Sequence, residues 1–213
     1  MTVRASLLFR LLPVLTLAIG LCGGVHAADE YAQVQQLLKA GQTAQALQRA
    51  DDYIAAHPND PQMRFIRAGA LQTAGRADEA ESALTQLTHD YPELAEPWNN
   101  LAVLYAAREQ LDDARDALQA ALRINPGYAT ALENLGDIDI RLALRRYQQA
   151  RSADPGAGAR LSAKIDAAQR VIGNGAPTAP PPQPAASQAQ AAAFGAAASP
   201  KPQHKDQTHP SAP

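Results

Sequence analysis

The chain has 213 residues, with 19 Lys plus Arg against 21 Asp plus Glu and a formal net charge of −2. That balance excludes the basic surface on which sequence-independent nucleic-acid binding depends. Hydrophobic residues make up 46% but aromatics only 5%, so alanine carries most of the apolar count, and neither a membrane bundle nor an aromatic-rich β-sandwich is expected. A single cysteine excludes a disulfide framework, a thiolate zinc site and a CxxC redox centre.

Residues 1–27 read as an export signal. Arg4 and Arg10 supply the positive flank, Leu11 to Leu21 the apolar stretch, and Val25-His26-Ala27 a small-residue cleavage site. Eleven apolar residues interrupted by Pro13 are too few for a stable membrane span. Cys22 lies inside this leader, and Leu21 before it is not the small residue that a lipid-modified cysteine requires. Cleavage after Ala27 leaves a cysteine-free chain with 17 basic and 21 acidic residues, a net charge of −4. The expected location is the periplasm.

Beyond the leader the sequence repeats itself. Pro58, Pro92 and Pro126 are 34 residues apart, and Ala46, Ala80 and Ala114 keep the same interval. So do Ala50, Leu84 and Leu118; Gly41 and Gly75 begin a fourth column whose third place is taken by Glu109. The glycines suit a left-handed turn that ends the first helix of each unit. The alanines let the second helix approach the first closely, and the prolines stop the second helix. Asp60-Pro61 reads as an N-cap followed by proline at the first helical position. The repeats run over 27–60, 61–94 and 95–128. A helix pair of this size cannot bury its apolar face alone, so neighbouring pairs must stack.

The fourth unit, 129–155, is short. Leu132, Leu135 and Gly136 stay in phase with Trp98, Leu101 and Ala102, whereas Ala143, Tyr147 and Ala150 are in phase only when counted back from Pro155. The two frames differ by five residues, those of the turn between the helices. With no Gly or Pro between Gly136 and Pro155, one continuous or slightly kinked helix is favoured over a very tight turn. In 156–173, Leu161, Ile165, Ala168 and Ile172 share a helical face, as a capping helix would require. Residues 174–213 hold nine of the 16 prolines and a single large apolar residue, Phe194; such a tail is expected to be disordered.

The third repeat, EPWNNLAVLYAAREQLDDARDALQAALRINP, places Trp98, Leu101, Ala102, Tyr105, Ala114, Leu118, Ala121 and Pro126 where the tetratricopeptide repeat family has its signature residues. The stretch from about 29 to 155 resembles that family. The first two repeats are looser, with Glu30 and Arg64 at the Trp-like position. The resemblance implies an all-α, right-handed superhelical solenoid of helical hairpins, closed by the C-terminal capping helix and followed by the tail. Trp98 is then expected between the helices of its pair. The resemblance also implies a concave groove lined by the first helix of each repeat, here by Phe65, Glu96, Asn99, Asn100, Val103, Glu133, Asn134 and Asp137. Asparagines at the position of Asn100 and Asn134 often hydrogen-bond a peptide main chain in the family; the alternative is that both amides bridge neighbouring helices. Glu133 and Asp137 are like charges one turn apart, which a basic partner segment would relieve. The cations of the family's carboxylate clamp are absent from the matching third-repeat positions.

No catalytic signature is found. HExxH, GxSxG and a Gly-rich phosphate loop are all absent. His57 and His89 sit at helix ends, where the dipole favours them. Asp51-Asp52 and Asp112-Asp113 are neighbours in sequence and so diverge around a helix; Arg145 and Arg146 read as solvated surface. The sequence therefore points to a non-enzymatic scaffold of the cell envelope, with no cofactor and no metal, that binds a segment of another envelope protein, a basic segment being one candidate. The alternatives are a self-associating structural protein and an accessory factor for wall or envelope-assembly enzymes tethered by the Pro-rich tail.

Overall fold

A computed structural model describes residues 23–174, and within them every regular element is helical. The tail from residue 175 and the leader up to residue 22 lie outside the described residues. In chain order the helices are α1 Gly23–Lys39, α2 Thr43–Ala56, α3 Pro61–Thr73, α4 Ala77–Asp90, α5 Ala95–Ala107, α6 Leu111–Ile124, α7 Ala129–Ala153 and α8 Gly158–Asn174; a 3-10 turn, Pro155–Ala157, separates the last two. The first six form three hairpins, each packed on the next.

Each hairpin closes by the same chemistry. Gly41 N–H donates to the Leu38 carbonyl at 3.0 Å and Gln42 N–H to the Leu37 carbonyl at 2.9 Å. The pair recurs 34 residues on from Gly75 and Arg76, and again from Glu109 and Gln110. These are Schellman bonds, which satisfy the last carbonyls of the first helix and require a left-handed residue. Gly41 and Gly75 have φ +73°; Glu109 has φ 60° and is the only non-glycine residue at positive φ among the described residues. The third repeat keeps the turn without the residue that suits it.

The connections between hairpins repeat as well. Asp60, Leu94 and Tyr128 N–H groups donate at 3.1 Å to the carbonyls of His57, Tyr91 and Asn125. Each four-residue turn thus has its proline at the second position, where the ring's fixed φ is already correct. Asp60 alone among these adds a side-chain cap, accepting from Met63 N–H at 3.0 Å. Its other oxygen accepts from the Tyr53 hydroxyl at 3.1 Å and from the Tyr31 hydroxyl, so one carboxylate joins α1, α2 and α3. Burial and then the Asp60 hydrogen bond push the Tyr31 phenol upward, which keeps it a neutral donor.

Ala46, Ala80 and Ala114 are completely buried, as are Leu84, Leu118 and Leu71. A methyl group is all that the seam inside each hairpin admits. Trp98 is half-buried and packs against the edge of the main cluster instead of being enclosed, so cutting it to alanine costs less than the roughly 3–5 kcal/mol of a fully buried tryptophan.

α7 runs unbroken for 25 residues. The turn that follows it, with Ala157 N–H donating to the Asp154 carbonyl at 3.1 Å, has the form of the earlier connections between hairpins. α7 is therefore the two helices of one repeat fused end to end by loss of the Schellman turn. The apolar face of its second half cannot be covered by folding back on itself. α8 covers it: Leu161 and Ile165 are buried, Lys164 lies over the Tyr147 ring at 5.3 Å, and the chain runs back along α7.

Arg64 bonds Asp90 Oδ2 at 2.8 Å and ties α3 to the end of α4. The Arg64 guanidinium, with His89 and Gln86, holds the Asp90 carboxyl down to about 2, from 3.8. A carboxyl whose folded value lies below its unfolded one stabilises above the unfolded value and loses that contribution as pH falls through the folded one. Asp90→Asn is therefore less stable than the parent near neutrality, and the gap closes between about pH 4 and pH 2, as urea titrations across that window will read. Glu109→Gly relieves the left-handed strain but forfeits the ion pair to Arg141, whose side chain is only 14% exposed, so it raises stability by no more than about 0.5 kcal/mol. Asp60→Ala lowers it by about 2–4 kcal/mol. Both are measured by urea midpoints at constant slope.

Candidate functional site

The first helices of the second, third and fourth units are α3, α5 and the N-terminal half of α7, and the residues picked out from the sequence are spread over them. They do not form one open surface. Asn99 is fully buried, and Glu96 and Asn134 are nearly so, at 6% and 9% exposed. Phe65, Asn100, Val103 and Asp137 are half-buried and Glu133 is exposed.

The asparagines make a continuous chain. Asn134 Nδ2 donates to Asn99 Oδ1 at 3.0 Å, and Asn99 Nδ2 donates to Asn100 Oδ1 at 3.3 Å. Of the two roles open to these amides, Asn134 takes the bridging one, from α7 to α5. The two side chains meet between α5 and α7, where only a reciprocating amide satisfies a buried amide. Asn100 sits at the half-exposed end of the chain, its oxygen already engaged from within.

Glu133 and Asp137 are one turn apart on α7, and neither makes an ion pair among the described residues. Most other acidic groups with nearby cations are neutralised: Arg108 reaches Asp78 and Glu81, and Arg49 meets Glu30 at 3.0 Å. The face formed by Asn100, Val103, Glu133 and Asp137 is thus part amide, part apolar and locally acidic.

Below Asp137 the chain does something that the sequence reading missed. Arg141 Nη2 donates to the Ala106 carbonyl at 3.1 Å and to Glu109 Oε1 at 2.7 Å, while Arg145 donates to the Glu109 carbonyl at 3.1 Å. Arg145 is not merely solvated surface; it fastens the fused helix to the preceding turn. Because α7 continues where its relatives in the array turn back, its extra residues cross that turn. Next to these arginines lies a cavity of about 390 Å³ between the α5–α6 turn, α7 and the last turn of α8. Ile140 and Arg141 belong to it, three and four residues beyond Asp137, and that helical spacing was the available signal.

Among the described residues, no cluster of three or more His, Cys, Asp or Glu side chains is placed to hold a metal ion, and no helix is long and apolar enough to cross a membrane. His57 stacks on Tyr53 at 4.3 Å at the end of α2, and His89 is exposed beside Asp90.

A tetratricopeptide repeat family model matches residues 31–84 and again 70–129. The chain is 31% identical over 80 residues to the Tetratricopeptide repeat domain-containing protein PYG7, chloroplastic, of Arabidopsis thaliana, covering 35% of this chain and 27% of that protein. It is 28% identical over 113 residues to the Phagocyte signaling-impaired protein of Drosophila pseudoobscura pseudoobscura, covering 53% of this chain and 12% of that one. The alignments span about a quarter and an eighth of these two relatives. Among solved structures, the first TPR domain of the human RPAP3 protein superposes with a TM-score of 0.51 at 20% identity, over 55% of this chain and 92% of that domain. This last likeness is one of fold.

The buried amide chain is testable on its own. Asn99→Ala leaves Asn134 without its acceptor and costs about 1–3 kcal/mol. The Asn99→Ala, Asn134→Ala double variant loses less than the sum, by about 1 kcal/mol of coupling in a double-mutant cycle of urea unfolding.

Proposed function

Over residues 31–129 the chain belongs to the tetratricopeptide repeat family, and from that premise we propose that it is a non-catalytic scaffold of the cell envelope. It holds a segment of another protein along the face built by α3, α5 and α7. The observation that carries this reading is the unneutralised pair Glu133 and Asp137, placed one turn apart beside the half-buried Val103 and Asn100. Like charges on adjacent turns cost a few tenths of a kcal/mol in an isolated helix, and neither carboxylate forms an ion pair among the described residues, Arg141 one turn on being bonded to Glu109. A partner segment with a Lys or Arg next to an apolar side chain would do so, with Asn100 Nδ2 as a donor to its main chain.

The outer face of the first hairpin supports a scaffold over a self-stacking array. Gln33, Gln36, Gln45, Gln48 and Asp52 line it around Leu37. A polar outer face is what ends a solenoid, and a copy stacking there would have to bury amides that it does not pair.

The envelope location rests on the leader. α1 begins at Gly23, upstream of the expected cut after Ala27, and from Ala27 onward the first fully buried side chain is Val34. N-terminal sequencing of the exported product should begin at Ala28, and an intact leader in a cytoplasmic fraction would refute the location. A photo-crosslinking residue at Val103 should trap a discrete partner in the envelope fraction, while the same group at Gln119, on the exposed face of α6, should trap none. Glu133→Lys with Asp137→Lys should abolish the Val103 adduct without altering helicity. Equal trapping at the two sites, or indifference to the charge reversal, would remove the groove from the account.

A further inference from the structure

The cavity between α7 and α8 has an apolar lining of Ala106, Ala107, Ile140, Val171 and Ile172, with Asp137 on its rim. Val171 is 52% exposed, so an aliphatic side chain stands uncovered at the edge of an apolar hollow. Arg141 forms another part of the wall. An arginine in the wall of an apolar hollow favours an aromatic ring, which attracts the cation while remaining apolar to the aliphatic walls. The hollow therefore calls for an aromatic side chain carried on a segment with positive charge for Asp137 and Glu133.

Such a segment is attached to the site. α8 ends at Asn174, two residues after Ile172, and 39 further residues follow. Their only large apolar side chain is Phe194, and their charges are Lys201 and Lys205 against Asp206. Phe194 lies twenty positions beyond Asn174, and even a random coil of that length spans about 25 Å, more than the distance from the last turn of α8 to a cavity that this turn itself lines. Tethering at such a length gives an effective concentration of order millimolar, so a weak contact suffices for occupancy.

We infer that the C-terminal segment folds back and seats Phe194 in the cavity between α7 and α8, with Lys201 and Lys205 facing Asp137 and Glu133. The tail is then a built-in occupant of the acidic end of the groove, which an incoming partner has to displace. The inference concerns only the tail and the cavity, and it holds or fails whether or not the groove takes the partner proposed above.

Paramagnetic relaxation in the full chain tests it. With Cys22→Ser and a spin label on Ser199→Cys, the methyl signals of Ile140, Val171 and Ile172 should lose most of their intensity, while those of Val34 and Leu47 in the first hairpin keep theirs. Phe194→Ala should restore the lost signals. Three results overturn the inference: no selective loss, a loss that persists in Phe194→Ala, or the same loss when spin-labelled chains are mixed with isotope-labelled chains that carry no spin label, which would make the occupant a second copy.

Discussion

One left-handed residue per repeat governs the architecture. Within each hairpin the first helix reverses into the second through a Schellman turn, which satisfies its final carbonyls and requires positive φ at a single position. Gly41 and Gly75 supply it freely, and Glu109 supplies it under strain. Where the five residues of that turn are missing, in the fourth unit, nothing interrupts the helix and α7 continues to Ala153. The rest of the C-terminal region follows from that. An unreversed helix exposes an apolar flank, α8 is recruited to cover it, and the space left where α8 meets the α5–α6 turn becomes a cavity.

The electrostatics are arranged around the same event. Arg141 and Arg145 lie on the part of α7 that runs past the point of the missing turn, and they bond the Ala106 and Glu109 carbonyls of the turn before it. The strained turn at Glu109 is thereby braced from the next unit, by contacts that a normal hairpin would not have provided. Further up α7, Glu133 and Asp137 form no ion pair among the described residues, since Arg141, one turn beyond Asp137, is turned to Glu109. The loss of five residues thus separates the braced end of α7 from its acidic end.

Much of the fold was legible because its determinants are local and periodic. Pro58, Pro92 and Pro126 mark turns whose hydrogen bonds lie within four residues, and Ala46, Ala80 and Ala114 mark a seam that tolerates only small side chains; both can be read from spacing alone. The five-residue phase slip left a tight turn or one long helix, and the lack of Gly or Pro between Gly136 and Pro155 favoured the helix that α7 forms. The site was less legible. Asn100 and Asn134 hold equivalent places in the sequence, but Asn134 is drawn into a buried bond with Asn99, and which of two like amides is spent internally depends on the approach of α5 to α7, not on the repeat. The triad of Tyr31, Tyr53 and Asp60 spans three helices, and the Arg141 cavity needs α8 to return along α7. Contacts of that range leave no periodic mark.

The most direct test is a distance along α7. With Cys22→Ser and spin labels on the exposed positions Leu132 and Arg151, pulsed dipolar spectroscopy should give one narrow distribution near about 28 Å, nineteen residues at the helical rise of 1.5 Å each. A hairpin at this point would bring the same labels to roughly the 8–10 Å spacing of packed helices. A population at that short distance would contradict the fused helix, and with it the origin assigned here to α8, the cavity and the arginine brace.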